Sequence, residues 1–280
     1  MSVDTSKGSL ILPRTINAIV LDGRQSKVIV TDYSFGSSKL LYSTASIFFA
    51  GKIGSRDTLF LFGDSNQSHE AGLSLSGVPG IRTAASNVKF ATDNNGLTTV
   101  TFLPDIKGLI TVWESDSQLV FFSDPVTAAT FWAPVIPGSS ELAHYWQLGS
   151  NDTVLVGGPY LVRNATISNS VLALTGDLNT SVALTVIAPS QVMFVSWNGA
   201  IVVPDASAKH NSSVFTGRLG KKFSTNSIIV PSLDNWKFAD SLPEIQHDFS
   251  DESWINADHT TTNIITRPLY GDGRILYGAL

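Results

Sequence analysis

The sequence contains no cysteine among its 280 residues and only two methionines. The absence of cysteine excludes disulfide bonds, thiolate metal sites and cysteine nucleophiles. Charged residues make up 15% of the chain, and the formal net charge is −5. A chain of this charge has no broad basic field to attract a polyanion, so we expect no nucleic-acid partner.

Long apolar runs are also missing from the sequence. No stretch approaches the roughly 18 apolar residues that a membrane helix needs, so we expect no membrane partner. The first ten residues, MSVDTSKGSL, lack the charged and then apolar pattern of a signal peptide. The composition is nevertheless that of a folded protein, because 43% of the residues are hydrophobic.

Several motifs that would indicate a specific chemistry are absent. There is no Gly-x-Ser-x-Gly turn of a serine hydrolase, no Gly-Lys-Ser/Thr phosphate loop, and no dinucleotide-binding glycine pattern after a strand. The histidines are scattered, without the i, i+4 or His-x-His spacing that would place two ligands on one metal. They are His69, His144, His210, His247 and His259. We therefore expect neither a cofactor nor a metal site.

The pattern that dominates the sequence is that of β-strands. Strand-length runs rich in Val, Ile, Phe, Thr and Tyr recur, as in SKVIVTDYSF, KLLYSTASIFFA and DTLFLFGD. Asn95-Gly96 and Asn198-Gly199 each lie between two such runs and predict type I′ hairpin turns. A third hairpin is expected to turn at Ser115-Asp116-Ser117. Hairpins at this spacing predict an all-β fold with two antiparallel β-sandwich-type domains.

One short segment departs from the β pattern. In FSDPVTAATFWAP, Asp124 is expected to cap a short helix with Pro125 at its first position, where a missing N–H costs nothing. Pro134 is expected to end this helix.

The pattern also divides the chain into three parts. Few strand signals occur in VIPGSSELAHYWQLGSND, which resembles a connector, and the sequence becomes polar and acidic from PSLDNWKFAD onward. We predict an antiparallel β domain over residues 1–150 and a β-sandwich over residues 151–230. Residues 231–280 are predicted to form a mostly irregular tail.

The stretch LPEIQHDFSDESW, residues 242–254, gathers four acidic side chains around one histidine. These are Glu244, Asp248, Asp251 and Glu252 around His247. Because glycosidases hold two carboxyl groups about 5–10 Å apart across a sugar, the cluster is a candidate for acid/base catalysis. Its neighbours are polar and no apolar strand is near to bury it, which favours a solvated connector.

Three other sets of residues have a functional and a plain interpretation. His69-Glu70 would be half of an acid/base pair, although a lone His–Glu dipeptide is more often a polar contact at a strand end. Exposed tryptophans would stack on sugars, whereas tryptophans in hairpins usually fill cores. The six are Trp113, Trp132, Trp146, Trp197, Trp236 and Trp254.

Five sequons are candidates for N-glycosylation and indicate a secretory origin: Asn66, Asn151, Asn164, Asn179 and Asn211.

Several phrases of the sequence resemble one known family. LDGRQSKVIVTDYSF, LLYSTASIFF, TLFLFGD and VFFSDPVTAATFWAPVIPG resemble the second domain of the large fungal β-galactosidases of glycoside hydrolase family 35. GGPYLVRNATISNSVLALTGDLNTSVALTVIAP and VSWNGAIV resemble the third domain. DNWKFADSLPEIQHDFSDESWINADHTTTN, which contains the acidic stretch, resembles the lead-in to the fourth, jelly-roll domain. The resemblance covers nearly the whole chain in the family's order.

This resemblance implies a role without an active site. The family's two catalytic glutamates lie in an N-terminal (β/α)₈ barrel, which needs roughly 250 residues of alternating strands and helices. No part of this sequence resembles that barrel, so no catalytic residue is carried over. The implied parent is a secreted enzyme that removes terminal β-galactosyl groups from galactosides. Its barrel and jelly-roll domains are the expected partners of this chain.

Three hypotheses follow from the sequence. The first is a non-catalytic accessory region of a β-galactosidase. The second is a free-standing carbohydrate-binding β-sandwich protein, which predicts saturable binding of galactosides or glycans. The third is a glycosidase with a relocated catalytic site, a hypothesis that only the acidic stretch and His69-Glu70 support.

Overall fold

The computed structural model describes residues 1–138, 142, 152–205, 213–220, 236–239, 248, 250, 252, 255–257 and 275–277. It contains two compact units, Met1–Lys222 and Phe223–Leu280, which are described separately. No helix in the described ranges combines the length and apolar character of a membrane span.

The first module of unit 1 is a β-sandwich of two five-stranded sheets. One sheet has the strand order β3-β4-β7-β10-β9 and the other β5-β6-β12-β11-β8, while β1 and β2 form a separate hairpin. Side chains from both sheets meet in one buried apolar cluster, which includes Leu40, Leu61, Val100, Phe102 and Phe122. The strands are β1 (Ser2–Thr5), β2 (Gly8–Ile11), β3 (Val30–Phe35), β4 (Ser38–Ser43), β5 (Ser46–Ile53), β6 (Arg56–Phe62), β7 (His69–Leu73), β8 (Pro79–Arg82), β9 (Val88–Thr92), β10 (Thr98–Phe102), β11 (Ile110–Ser115) and β12 (Gln118–Ser123).

The second module of unit 1 is a smaller β-sandwich. Its sheets have the orders β13-β16-β19-β22 and β17-β18-β20-β21, and β14 pairs with β15. Buried Leu172, Leu174, Leu184, Val186 and Trp197 contribute to its apolar core. The strands are β13 (Phe131–Trp132), β14 (Val135–Ile136), β15 (Asp152–Thr153), β16 (Leu155–Gly157), β17 (Leu161–Ser168), β18 (Val171–Asp177), β19 (Val182–Ile187), β20 (Phe194–Trp197), β21 (Ala200–Ile201) and β22 (Val214–Leu219).

The all-β prediction is confirmed, but two strand pairs do not run antiparallel. Strand β12 pairs with β6 in parallel, and β20 pairs with β18 in parallel. In both cases the partners are not consecutive strands, and they join two hairpins edge to edge. Turn residues specify which neighbouring strands fold back on each other, whereas such non-local pairings depend on the shared core.

The three predicted hairpins are present, with one difference in turn geometry. Asn198 and Gly199 have φ values of 47° and 84°, as a type I′ turn requires. At Asn95-Gly96 only Gly96 has a positive φ, of 73°, so the predicted type I′ turn is wrong. Asp93 Oδ1 accepts the N–H groups of Asn95 and Leu97 and organises a longer loop instead. The third hairpin joins β11 to β12 through Asp116-Ser117.

The predicted helix is one turn long. α1 spans Pro125–Ala128, and Asp124 caps it by accepting the N–H of Thr127 at 2.9 Å. The prediction that Pro134 ends the helix is wrong, because Ala129 is already the C-cap and β13 begins at Phe131. Phe131 is buried and pairs with Gly157 of β16, and this sheet contact stops the helix before the proline is reached.

In unit 2 the described backbone includes a three-stranded antiparallel sheet. Its strands are β23 (Trp236–Ala239), β24 (Ile255–Ala257) and β25 (Ile275–Tyr277), with β23 in the centre. Apart from Asp248, Ser250 and Glu252, the rest of the predicted irregular tail lies outside the described residues.

Candidate functional site

The two modules of unit 1 share an apolar interface. Ile53, Phe60, Leu119 and Phe121 of the first module form one buried cluster with Phe131, Leu155 and Ile187 of the second. The rings of Phe60 and Phe131 meet edge to face, with centroids 5.1 Å apart and an interplanar angle of 88°. Aromatic pairs in this arrangement add directional packing to the burial of apolar surface. The two modules are therefore packed against each other through buried apolar side chains, in addition to being joined by the chain between them.

A polar contact beside this cluster joins the same two modules. Glu114 Oε1 accepts the backbone N–H of Ser213 at 3.0 Å, the Ser213 hydroxyl at 2.6 Å and Nη1 of Arg56 at 3.2 Å. The side chains of Glu114 and Arg56 are 7% and 11% exposed, so this ion pair is shielded from water. Glu114 Oε2 is buried and has no hydrogen-bond partner in the described part of the chain. We call Arg56, Glu114 and Ser213 the module latch.

The sequence motifs did not single out the module latch. The signal was present in ITVWESDSQLVFF, where Glu114 is the one charged residue within the strand β11. Because an acidic side chain in a buried strand needs a partner, a strand of this kind predicts a distant donor. The identity of that donor depends on tertiary contacts, since Ser213 lies 99 residues away.

His69 and Glu70 open β7 and do not form an acid/base pair. Successive residues of a strand face opposite sides of the sheet. Glu70 is fully buried, and its oxygens accept the N–H groups of Arg14, Thr15 and Ile16 at 2.7, 2.8 and 3.3 Å. Glu70 thus anchors the segment that follows β2.

The His69 side chain has a different environment. Its Nε2 lies 3.1 Å from the carbonyl oxygen of Asp64 and its ring lies 6.0 Å from Phe122. A carbonyl only accepts, so Nε2 carries the proton, and Nδ1 is buried without a partner in the described residues. Burial disfavours the charged imidazolium and lowers the pKa of His69 below 6.5. The two residues lie at the start of strand β7, as expected of a polar contact at a strand end, but both side chains are buried.

The acidic stretch of unit 2 is described at two of its four acids. Asp248 and Glu252 are exposed, and the backbone N–H of Glu252 donates to Ser250 Oγ at 3.3 Å. Glu244, Asp251 and His247 lie outside the described residues, as do His144, His210 and His259. Across the described ranges no group of three or more His, Cys, Asp or Glu side chains is arranged to hold a metal.

Side chains are described for three of the six tryptophans. Trp113 and Trp197 are buried in the cores of the first and second modules, as their interpretation as core residues predicted. Trp132 is 38% exposed, and its Nε1 donates to the carbonyl oxygen of Pro159 at 3.2 Å. The Trp236 backbone lies in β23, and Trp146 and Trp254 lie outside the described residues.

Three of the five sequons are described, and all three asparagines are exposed. Asn66 lies in the connection between β6 and β7 and donates to Asp22 Oδ2 at 3.0 Å. Asn164 lies in β17, and Asn179 follows β18. Asn151 and Asn211 lie outside the described residues.

An open groove of about 960 Å³ crosses the second module. Its polar groups are Asp177, Asn198, Asp205 and Arg218, and its apolar groups include the side chains from Ile201 to Pro204. Arg163 donates to Asp177 Oδ2 at 2.6 and 2.9 Å, and so holds one wall of the groove. Carboxylates and a guanidinium beside apolar carbon are groups that bind a polar ligand with a hydrophobic face.

Comparison with known proteins identifies both modules. Residues 1–131 match the family model for beta-galactosidase, domain 2, and residues 132–213 match the model for beta-galactosidase, domain 3. The chain is 36% identical over 266 residues to probable beta-galactosidase B of Penicillium rubens, covering 94% of this chain and 25% of that protein. It is 34% identical over 283 residues to probable beta-galactosidase B of Emericella nidulans, covering 97% of this chain and 26% of that protein.

The chain thus spans about a quarter of the length of these curated relatives. The two family models together cover the first module and the second module as far as Ser213, which includes the three residues of the module latch but not β22. On these matches, the chain belongs to the beta-galactosidase family, of which it carries the second and third domains.

Proposed function

We propose that this chain is a non-catalytic accessory region of a β-galactosidase, in which the two modules act as one rigid support for other domains. The observation that carries the proposal is the match to domains 2 and 3 over residues 1–213, in relatives about four times longer. The shared apolar interface and the module latch support the rigid arrangement.

The engagement of the buried glutamates supports the absence of a catalytic role for this chain. A glycosidase acid/base pair needs two carboxyl groups that face one sugar across roughly 5–10 Å. Glu70 is held by backbone N–H groups, and Glu114 Oε1 is held by Ser213 and Arg56. Both act as internal acceptors in separate parts of the first module.

We assign the hydrolysis of terminal β-galactosyl groups to the longer parent protein. By family resemblance, its catalytic glutamates lie in a barrel, and the barrel and jelly-roll domains are the partners of this chain. A peptide map of the native polypeptide from its source tests this assignment. Peptides from a barrel upstream of Met1 support it, and a mature product that begins at Met1 contradicts it.

A direct assay tests the non-catalytic role. The purified chain is expected to hydrolyse a nitrophenyl β-galactoside no faster than the buffer blank. Hydrolysis that disappears in the combined Glu70→Gln, Glu244→Gln and Glu252→Gln variant would instead favour a relocated glycosidase site. A circular dichroism spectrum identical to that of the unsubstituted chain is the control for folding of this variant.

The groove of the second module favours carbohydrate binding as a second candidate function. Its carboxylates and guanidinium would bind sugar hydroxyls, while the apolar strip would face sugar carbon. Calorimetry with galactose-terminated oligosaccharides is expected to show saturable binding. Asp205→Ala should weaken the affinity at least about tenfold, a factor that corresponds to the loss of one good hydrogen bond. Trp132→Ala lies outside the groove lining and is the matched control. Loss of binding in Trp132→Ala alone would move the site to that exposed indole.

The exposed sequons support a secreted parent. We expect glycans on Asn66, Asn164 and Asn179 when the protein passes through a secretory pathway, because each is exposed to a modifying enzyme. Removal of N-glycans by an amidase, followed by peptide mass analysis, identifies each occupied site. Unmodified peptides at all three positions in material from the natural source would contradict this expectation.

A further inference from the structure

The two Asn-Gly turns differ in how the asparagine side chain is held. Asn95 and Asn198 are both exposed, and both precede a glycine with a positive φ. Asn198 Oδ1 accepts the N–H of Gly176 and its Nδ2 donates to the carbonyl of Gly176, each at 3.0 Å. The Asn95 side chain has no hydrogen bond among the described residues. Both asparagines are thus exposed, and they differ in the hydrogen bonds that restrain the side chain.

We propose that Asn95 is a site of spontaneous deamidation in the folded protein and that Asn198 is protected. In this reaction the backbone nitrogen of Gly96 attacks Cγ of Asn95. The new N–Cγ bond closes a five-membered imide as the Cγ–Nδ2 bond breaks. Nδ2 leaves as ammonia and takes up the proton that the Gly96 nitrogen loses. Water then adds to either imide carbonyl and gives an aspartyl or an isoaspartyl residue.

The surroundings of Asn95 leave room for the attack. A Cβ placed on Gly96 or on Gly199 would meet no atom within 4 Å, so both turns are open around the glycine and crowding does not distinguish them. One turn hydrogen bond, from the Gly96 N–H to the Asp93 carbonyl at 3.1 Å, has to open first. At Asn198 the two side-chain hydrogen bonds to Gly176 would have to break before the amide could turn toward the Gly199 nitrogen.

The product would weaken the loop between β9 and β10. Asp93 Oδ1 accepts the N–H groups of residues 95 and 97, and Arg14 Nη2 lies 3.2 Å from Asp93 Oδ2. A second carboxylate at position 95 repels Asp93. An isoaspartyl residue also lengthens the backbone by one methylene, which shifts the N–H groups that Asp93 binds.

Peptide mapping of the whole chain after incubation in warm, mildly alkaline buffer tests the proposal. We expect the peptide that contains Asn95 to gain aspartyl and isoaspartyl forms at least about tenfold faster than the peptide that contains Asn198, because two hydrogen bonds restrain the latter. In urea the two rates should become similar. Asn95→Gln should abolish the products at position 95 and leave position 198 unchanged.

Two results would overturn the proposal. Equal rates at Asn95 and Asn198 in the folded chain would show that the bonds to Gly176 do not protect. A rate difference of the same size in urea would assign the effect to the neighbouring sequence and not to the fold.

Discussion

At the scale of single residues, the buried carboxylate of Glu70 shows how one side chain fixes a segment that has little regular structure. Glu70 collects N–H groups from three successive residues after β2 and the hydroxyl of Thr15. Glu70→Ala leaves these buried donors without an acceptor, and we expect a loss of about 2–4 kcal/mol in unfolding free energy. Urea denaturation measures this loss. The exposed Asp4→Ala serves as control, and equal effects of both variants would contradict the anchoring role.

His69 makes the stability of the first module depend on pH. Burial lowers its folded-state pKa below the unfolded value of 6.5, so the unfolded state binds more protons at mildly acidic pH. Its contribution is fully present above about pH 6.5 and is lost as the pH falls, with a limiting slope of about 1.4 kcal/mol per pH unit for one proton. Urea midpoints between neutral and mildly acidic pH measure this. We expect His69→Gln to flatten the dependence, and an unchanged slope would rule out His69 as its source.

At the scale of secondary structure, the one-turn helix α1 depends on its cap more than on helix propensity. Asp124 accepts hydrogen bonds from the N–H and hydroxyl of Thr127 and from the N–H of Gly108. Burial acts to raise the pKa of Asp124, but these hydrogen bonds outweigh it and the pKa lies below 3.8. The cap therefore stabilises the fold above the unfolded-state pKa, and this contribution is lost as the pH falls through the folded-state pKa.

Replacement of the cap tests this role. Asp124→Ala is expected to cost about 1–2 kcal/mol of unfolding free energy at neutral pH, because the donors of Thr127 and Gly108 lose their acceptor. This loss of unfolding free energy should be smaller in strongly acidic solution, where the carboxyl of Asp124 in the unsubstituted chain is protonated. Asp105→Asn, at an exposed position that keeps its left-handed backbone, is the control. A cost that is the same at both pH values would exclude the charge of Asp124 as the cause.

At the scale of the whole of unit 1, the module latch and the aromatic interface are expected to make the two modules unfold together. Glu114→Ala removes the acceptor for Ser213 and leaves Arg56 as a shielded charge, so we expect a loss of about 3 kcal/mol. Calorimetry should resolve two unfolding transitions in this variant, whereas the unsubstituted chain should show one for unit 1. The double variant Arg56→Met, Glu114→Leu should lose less, because no charge stays unpaired. An unchanged single transition in Glu114→Ala would contradict the role of the module latch in this coupling.

Local signals in the sequence were sufficient for the β class, the hairpins and the start of α1. Asn198-Gly199 turns as predicted because the conformations of these two residues are favourable by themselves. Asp124 and Pro125 begin α1 because capping involves only neighbouring residues. The resemblance to the second and third β-galactosidase domains was likewise carried by short phrases of sequence, and the family matches confirmed it.

Contacts between distant residues decided the rest. The parallel pairs β6–β12 and β18–β20, the early end of α1 at the buried Phe131 and the partnership of Glu114 with Ser213 join residues that no local pattern relates. The same holds for the different protection of the two Asn-Gly turns, since Gly176 reaches Asn198 across the sheet. Turn and cap chemistry is encoded within a few residues, whereas pairing, burial and hydrogen-bond partners at long range exist only once the two cores have formed.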